Sequence, residues 1–191
     1  KKMLAEGRIY FGKHGKSQPS IIRYLSEVEG FVPWTWWPHE EVGHTDESRK
    51  EIQSILGTQT AFDTQKPVRL ISRVLQIATN PGDIVLDSFA GSGTTGHAVM
   101  QLNKEDGGNR RFILVEMDTH ISRNVTAERL RRVCDGYKDG GGTPVEGLGG
   151  GFRFAVLGEA LFDERGNIRY TVRFVDLARH VYFVETGEPV S

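Results

Sequence analysis

Short apolar runs and helix-like stripes alternate through the middle of the chain, over residues 58–138. Two runs, IVLD at residues 84–87 and RRFILVEMD at residues 110–118, are typical of short buried strands. Before the first run, apolar positions recur at helical spacing and predict a helix with one buried face. They are Leu70, Ile71, Val74, Leu75 and Ala78. Pro67 is expected at the first position of that helix. The order helix, strand, helix, strand, helix indicates an α/β fold.

The segments before and after this core carry weaker signals of regular structure. Residues 1–57 contain a candidate hairpin, GRIYFGKHGK, and a candidate helix, TDESRKEIQSILG. Thr45 is expected to cap the start of that helix and Gly57 to end it. After the second strand, residues 121–137 predict a basic helix.

The C-terminal part begins with a glycine-rich stretch, DGGGTPVEGLGGG, at residues 139–151. We expect it to be a flexible loop or linker, because glycine at this density disfavours regular structure. The tail then predicts a hairpin around DERGN and a helix over residues 172–185.

Composition and charge narrow the functional classes. With 24 basic and 25 acidic residues, the formal net charge is -1, so bulk charge does not make this chain a polyanion binder. A single cysteine, Cys134, excludes an internal disulfide and favours a reducing, cytoplasmic compartment. No run of about 18 apolar residues occurs, so no membrane span is expected.

A glycine-rich turn follows the first strand, at the point where a helix is predicted to begin. Gly91, Gly93 and Gly96 have the G-x-G-x-x-G spacing of nucleotide-binding loops, which is a weak signal by itself. His97 and Ala98 stand where a phosphate-binding P-loop needs lysine and then serine or threonine. ATP and GTP are therefore disfavoured as ligands.

Two acidic residues at the strand ends indicate which cofactor suits the loop. Asp87 ends the first run, where it would repel the pyrophosphate of NAD. S-adenosylmethionine has no phosphate, and its carboxylate can meet the amides of residues 91–95 while its ammonium group is attracted to acids. Glu116 ends the second run, where a carboxylate can accept hydrogen bonds from both ribose hydroxyls. Structural roles remain open, because Asp87 can cap the following turn and Glu116 can pair with Arg110 or Arg111.

At these residues the chain closely resembles the cofactor-binding half of beta-class bacterial DNA amino-methyltransferases, particularly the modification subunits of type III restriction systems. The similar segments are TQKPVRLISRVLQIATNPGDIVLDSFAGSGTTGHAV and FILVEMD, and the flanks GRIYFGKHGKSQPSIIRYLSEVEG and DLARHVYFVETGEP are also similar. The resemblance implies an α/β, Rossmann-like methyltransferase three-layer sandwich. This chain would hold only part of its doubly wound sheet, with a small α+β appendage.

The implied organisation has four parts. Residues 1–57 would adjoin the target-recognition and catalytic half, and residues 58–138 would form the S-adenosylmethionine-binding half. Residues 139–151 would be a glycine-rich linker, and residues 152–191 a hairpin-plus-helix appendage.

The resemblance also implies the cofactor, the substrate and the site. S-adenosylmethionine would donate a methyl group to the exocyclic amine of adenine in DNA. Glu116 would bind the ribose, with Met117 or Asp118 beside the adenine ring of the cofactor. The residues implied around the methionine portion are Thr64, Gln65, Lys66 and Pro67 on one side, and Asp87, Phe89, Gly91, Ser92, Gly93, Thr94 and Thr95 on the other. No metal site is expected.

One departure from the family pattern concerns catalysis. The catalytic tetrapeptide of the family is Asp or Asn followed by two prolines and an aromatic residue, but none of the seven prolines here is adjacent to another. We therefore assign no catalytic residue, and expect a C-terminal fragment of a larger methyltransferase that is inactive alone. Its expected partners are duplex DNA through the full-length protein, a restriction subunit and a second copy. The alternatives are a nicotinamide-dependent oxidoreductase half-domain and a non-catalytic, methyltransferase-like assembly module.

Some other conspicuous residues are interpreted as structural. The three tryptophans of FVPWTWWP are expected to pack at a domain boundary rather than stack on bases. The arginines of ERLRRV are expected on a solvated helix face, and His97 and Cys134 are expected to be packed and unreactive.

Overall fold

A computed structural model describes residues 2–27, 30, 32–57, 62 and 64–188. The chain divides into two compact units, Lys1–Gly150 and Gly151–Ser191, which are described separately below. Among the described residues, no helix combines the length and the apolar character needed to cross a membrane.

The described residues of the first unit form helices and three two-stranded sheets. Its helices are α1 (Lys2–Ala5), α2 (His39–Val42), α3 (Thr45–Leu56), α4 (Val68–Ala78), α5 (Thr94–Asp106), α6 (Thr119–Ile121) and α7 (Glu128–Asp135), with a 3-10 turn at Leu25–Glu27 and a π-helical segment at Ser122–Ala127. Its strands are β1 (Ile9–Tyr10), β2 (Ser20–Ile21), β3 (Ile84–Asp87), β4 (Arg111–Leu114), β5 (Gly136–Lys138) and β6 (Pro144–Glu146). This mixture of helices and small sheets agrees with the predicted α/β class.

The parallel pair β3–β4 is the structural centre of this unit. Ile84 lies opposite Arg111 and Asp87 opposite Leu114, so both strands end at the same edge. Helices α4 and α5 pack together over one face of the pair. The cluster they form contains Val68, Leu75, Ala98, Val99 and Leu102, with Ile71, Val85 and Phe112 packed against it. The predicted alternation of helices and strands is confirmed.

The buried face of α4 differs from the predicted one. Val68 and Leu75 are buried as α4 packs on α5, whereas Val74 is 41% exposed and Ala78 is also exposed. The predicted stripe was too wide: the contact with α5 covers the side of the helix that bears Val68, Ile71 and Leu75, and leaves the side that bears Val74 in solvent.

Two helix starts differ from their predicted caps by one residue. His44, not Thr45, is the N-cap of α3, because its Nδ1 accepts a hydrogen bond from Glu47 N at 3.1 Å. Pro67 has extended backbone angles and is the N-cap of α4 rather than its first helical residue. Gly57 ends α3 in the left-handed conformation (φ 70°), as expected for a glycine at that position.

Part of the glycine-rich stretch is regular, which corrects the expected flexible loop. Pro144–Glu146 pairs antiparallel with Gly136–Lys138, so the helix expected over residues 121–137 ends at Asp135. The turn between the strands is held by Asp139, whose Oδ1 accepts from Gly141 N and Thr143 N at 2.9 and 2.8 Å. The glycines form the turn, while TPVE has the extended character of a strand.

The two predicted hairpins are present in altered extent. The first pairs Ile9 with Ile21 and Tyr10 with Ser20, so its second strand lies beyond the predicted stretch. In the second unit, a bridge joins Phe162 to Ile168 around the predicted DERGN turn. Helix α8 (Phe174–Thr186) follows, and it begins two residues and ends one residue later than predicted.

Candidate cofactor site

The glycine loop, residues 88–93, crosses the edge at which β3 and β4 both end. Ala90 N donates to Val115 O at 2.9 Å, which ties the loop to the end of the second strand. Gly93 is the N-cap of α5. The loop therefore lies at the carboxyl ends of two parallel strands, where open α/β sheets bind ligands.

Asp87 holds both ends of this loop. Its Oδ1 accepts from Phe89 N at 3.0 Å, and its Oδ2 accepts from the Thr95 hydroxyl at 2.6 Å. The turn-capping role left open by the sequence is thus present. The half-buried carboxylate also puts a negative charge at the end of β3, which favours a cation and disfavours a phosphate there.

Glu116 faces the loop from the end of the second strand. Its Oε2 accepts from Gly91 N at 2.9 Å and its Oε1 from Asp118 N at 3.0 Å. The alternative pairing with Arg110 is not formed, because the Arg110 side chain donates to Asp106 at 2.7 Å and to the Thr79 hydroxyl at 3.0 Å. The half-buried Glu116 carboxylate therefore holds the backbone of the loop rather than pairing with Arg110.

The three glycines of the motif have different structural roles. Gly91 and Gly93 adopt positive φ angles, 51° and 76°, which disfavour other residues. A Cβ atom on Gly96 would come within 2.9 Å of Leu130 Cδ2 and 3.1 Å of Leu114 Cδ1. The first two glycines shape the loop, and the third permits α5 to pack closely on its neighbours.

The start of α5 provides donors for an anion. The first amides of a helix lack intrahelical acceptors, and here they belong to Thr94, Thr95 and Gly96. The Ser92 and Thr94 hydroxyl oxygens lie 3.1 Å apart at this same end. Since the Thr94 hydroxyl donates to Lys66 O and the Thr95 hydroxyl to Asp87, the groups free to donate to a ligand are the amides, which suit a carboxylate such as that of an amino acid.

The TQKP segment reaches the loop through its backbone. The Thr94 hydroxyl donates to Lys66 O at 3.2 Å, and the side chains of Thr64 and Lys66 are exposed. Gln65 and Pro67 are buried away from solvent, and Gln65 O accepts from the Ser48 hydroxyl of α3 at 2.9 Å. The segment is therefore anchored to α3 through Gln65, and the side chains of Thr64 and Lys66 are exposed to solvent.

Two apolar side chains border the site in solvent. Phe89 is 88% exposed and Met117 is 90% exposed. The Asp118 side chain caps the start of α6, since its Oδ1 accepts hydrogen bonds from His120 N and Ile121 N. The exposed pair offers apolar surface on which an aromatic ring could rest.

Sequence reasoning missed a buried arginine behind the loop. Arg129 was expected on a solvated helix face, yet it is 1% exposed and its guanidinium contacts Ser92 and Thr94. The neighbouring Arg131 is exposed, as expected. The signal was the helical spacing, because Arg129 lies four residues after buried Val125 and four before buried Val133.

Two further buried side chains lie near the loop: Thr126 contacts it directly and His97 contacts Arg129. Thr126, in the π-helical segment, donates its hydroxyl to Gly91 O at 2.5 Å. His97 is buried as expected, and burial, followed by the Arg129 charge, lowers its pKa from 6.5 to about 3. His97 is therefore neutral and packed rather than catalytic.

The expectation for the tryptophans is wrong within the described structure. Trp34 and Trp36 are 78% and 77% exposed, and only Trp37 of the three is half-buried, with its Nε1 donating to Trp34 O at 2.6 Å.

Cys134 is half-buried with its Sγ 3.6 Å from Met100 Sδ, and burial raises the pKa of its thiol.

Comparison with known proteins gives concordant matches. The family model described as DNA methylase matches residues 11–128. The StyLTI Mod subunit of a type III restriction-modification enzyme of Salmonella typhimurium is 40% identical over 128 residues, which cover 67% of this chain and 19% of that protein. Type II methyltransferase M.KpnI of Klebsiella pneumoniae is 37% identical over 132 residues (62% and 31%). DNA adenine methyltransferase YhdJ of Escherichia coli is 36% identical over 127 residues (61% and 40%). The matches span from about a fifth to two fifths of these relatives, and they confirm the resemblance.

Proposed function

Since this chain belongs to the DNA methylase family, we propose that its glycine loop binds S-adenosylmethionine as methyl donor for the exocyclic amine of adenine in DNA. The observation that carries this proposal is the pair of carboxylates, Asp87 and Glu116, on either side of a glycine loop that begins a helix. One anion-binding element between two acids suits a zwitterionic nucleoside without phosphate.

Each part of the cofactor has a chemical match among the described residues. The amides at the start of α5 would hold its carboxylate, and Asp87 would attract its ammonium group. Glu116 would accept hydrogen bonds from the ribose hydroxyls, and the exposed Phe89 and Met117 would lie beside the adenine ring. The bound cofactor supplies an electrophilic methyl group on a sulfonium, and the chain supplies alignment and charge.

Phosphate-bearing cofactors fit these residues poorly. Asp87 stands where the pyrophosphate of NAD would approach the helix, which disfavours the oxidoreductase alternative. His97 occupies the position of the P-loop lysine, but its lowered pKa of about 3 leaves it without the charge that ATP requires.

An exposed apolar face of the two central strands supports the proposal that they belong to a larger, Rossmann-like three-layer sandwich. Ile84, Leu86, Ile113 and Val115 are exposed apolar residues of β3, β4 and the residue after β4. Apolar sheet faces of this kind are normally covered by further elements of the same domain. We assign that cover, the acceptor site and target recognition to sequence that the longer relatives possess beyond the matched part.

The partners follow from the same likeness. One relative is named as the Mod subunit of a type III restriction-modification enzyme, so we propose duplex DNA as substrate and a restriction subunit and a second copy as partners of the whole protein. No two prolines of this chain are adjacent, so the Pro-Pro tetrapeptide that binds the target amine in the resembled family is absent from it.

Calorimetry tests the cofactor assignment. The chain is titrated with S-adenosylmethionine, S-adenosylhomocysteine, NAD and ATP under one buffer condition. We expect either S-adenosyl compound to bind more tightly than the two phosphate-bearing nucleotides. Tighter binding of NAD would overturn the proposal in favour of the oxidoreductase alternative.

A tritiated-methyl assay on mixed-sequence duplex DNA tests the division of labour. We expect no transfer by these 191 residues alone. Transfer should appear when the chain is joined to adjoining coding sequence that carries the tetrapeptide. Robust transfer by the chain alone would contradict the assignment of the acceptor site, and cofactor binding without transfer in either context would favour the assembly-module alternative.

A further inference from the structure

A buried guanidinium holds the glycine loop from its inner side. Arg129 Nη1 donates to the Thr94 hydroxyl at 3.0 Å, to the Ser92 hydroxyl at 3.2 Å and to Ser92 O at 3.3 Å. Arg129 belongs neither to the family's motif residues nor to the proposed cofactor contacts. Its contacts fall on Ser92 and Thr94, at the start of α5, where the first amides are proposed to bind the cofactor carboxylate.

The contact to Ser92 O restrains a peptide unit that is otherwise easy to rotate. Gly93 has φ 76°, and glycine tolerates both signs of φ, so the Ser92–Gly93 peptide could turn over at little steric cost. Here Gly93 N donates to Ala90 O at 2.8 Å and Ser92 O accepts from Arg129. Both ends of the peptide unit are therefore held.

The other side of the guanidinium connects the loop to α3. Arg129 Nη2 donates to Glu51 Oε2 at 3.1 Å and lies 3.2 Å from His97 Nδ1. Because His97 is neutral, its Nδ1 can accept this hydrogen bond. Burial raises the pKa of the Glu51 carboxyl, and the Arg129 charge opposes that rise. The buried charge is thus paired and hydrogen-bonded through both Nη atoms, while its buried Nε has no hydrogen-bond partner among the described residues.

We propose that Arg129 is a positioning residue for the cofactor: it fixes the Ser92 carbonyl and the Thr94 hydroxyl so that the first amides of α5 meet the cofactor carboxylate. Its pairing with Glu51 makes cofactor affinity depend on the placement of α3. This inference rests on the proposed binding of S-adenosylmethionine at the loop.

Arg132 provides a matched control on the same helix. Its Nη1 donates to Ile55 O of α3 at 2.8 Å and its Nε to Glu128 Oε1 at 2.6 Å. Arg132 therefore also joins α7 to α3 but has no contact with the glycine loop among its hydrogen bonds. Arg132→Met removes a comparable arginine link, and the comparison with Arg129→Met isolates the contact with the loop.

The first measurement is the dissociation constant of S-adenosylhomocysteine by calorimetry, with the melting temperature of every variant. We expect Arg129→Met to weaken binding at least tenfold and Arg132→Met by less than twofold. Arg129→Lys should recover part of the loss, because lysine keeps the charge but cannot reach all the acceptors at once. Glu51→Gln, which keeps size and a hydrogen-bond acceptor, should weaken binding about threefold to tenfold.

The second measurement is amide hydrogen exchange of residues 91–96 without ligand. We expect faster exchange there in Arg129→Met and Arg129→Lys than in wild type, and wild-type exchange in Arg132→Met. Unchanged loop exchange or unchanged affinity in folded Arg129 variants would overturn the positioning role. If Arg129→Met does not fold, wild-type affinity in both Arg129→Lys and Glu51→Gln would overturn it. Failure of the wild-type chain to bind S-adenosylhomocysteine would instead refute the proposed function.

Discussion

Removal of the Glu116 carboxylate is expected to weaken S-adenosylmethionine binding roughly tenfold to a hundredfold. Glu116→Ala deletes the acceptor proposed for both ribose hydroxyls. Hydrogen bonds to a charged group typically contribute about 1.5 to 3 kcal/mol, and about 1.4 kcal/mol corresponds to a tenfold change in affinity. That range gives the expected loss.

The contacts of Glu116 add an effect on stability. Its two oxygens accept from Gly91 N and Asp118 N at 2.9 and 3.0 Å, so Glu116→Ala also frees two backbone donors. Because the residue is half-buried, water can partly replace the lost acceptor, and we expect about 1 to 2 kcal/mol off the free energy of unfolding.

Calorimetric titration of folded variants separates these two effects. Glu116→Gln keeps the size and one acceptor, so its affinity should fall between wild type and Glu116→Ala. Glu105→Gln is the control, because Glu105 is an exposed acid of α5 that accepts from Gln101 at 2.8 Å, outside the proposed site. A dissociation constant within twofold of wild type in folded Glu116→Ala would refute the ribose role and leave Glu116 with a structural one.

Three other expectations concern pH, the loop backbone and DNA. Since the pKa of His97 is lowered from 6.5 to about 3, the unfolded chain binds a proton that the folded chain excludes. The free energy of unfolding of wild type, relative to that of His97→Asn, should therefore fall by about 1.4 kcal/mol for each pH unit as the pH is lowered from 6.5 toward 3. Urea titrations at several pH values measure this difference, and parallel pH profiles of the two proteins would contradict the expectation. Gly91→Ala and Gly107→Ala both place alanine at positive φ (51° and 69°), but only at Gly91 would the new Cβ meet Phe62, at 2.7 Å. Calorimetric melting should show Gly91→Ala as the less stable by about 1 to 3 kcal/mol, and equal losses would count against the steric argument. With a net charge of -1, the chain alone should bind duplex DNA weakly, with a shallow salt dependence; nanomolar, sequence-selective binding would point to the exposed tryptophans as a DNA-reading surface.

The sequence determined the features that depend on neighbouring residues. Apolar runs bounded by turn residues identified β3 and β4, and the glycine spacing located the loop between β3 and α5. Gly57 was identified as a helix end because a left-handed residue is needed there. The proposed cofactor class rests on local order as well, since the acids at two strand ends flank the loop in any parallel arrangement, whereas the enzyme class came from the family resemblance.

Only the tertiary structure decided which helix faces are covered and which polar side chains are buried. Val74 is exposed because α4 packs on α5 through another side, and helical spacing alone does not say which side has a partner. Residues 144–146 form a strand because residues 136–138 are placed to pair with them, although their composition favoured a loop.

Arg129 shows the same limit at the site itself. Its acceptors Thr94 and Glu51 lie 35 and 78 residues away in the sequence, on elements that meet only in the folded chain. An arginine is ordinarily assigned to solvent because burying its charge is costly, and that cost is offset only where several acceptors converge. Local pattern determines where strands, turns and helices form. Packing decides which distant groups come together, and only packing places the Arg129 charge behind the glycine loop.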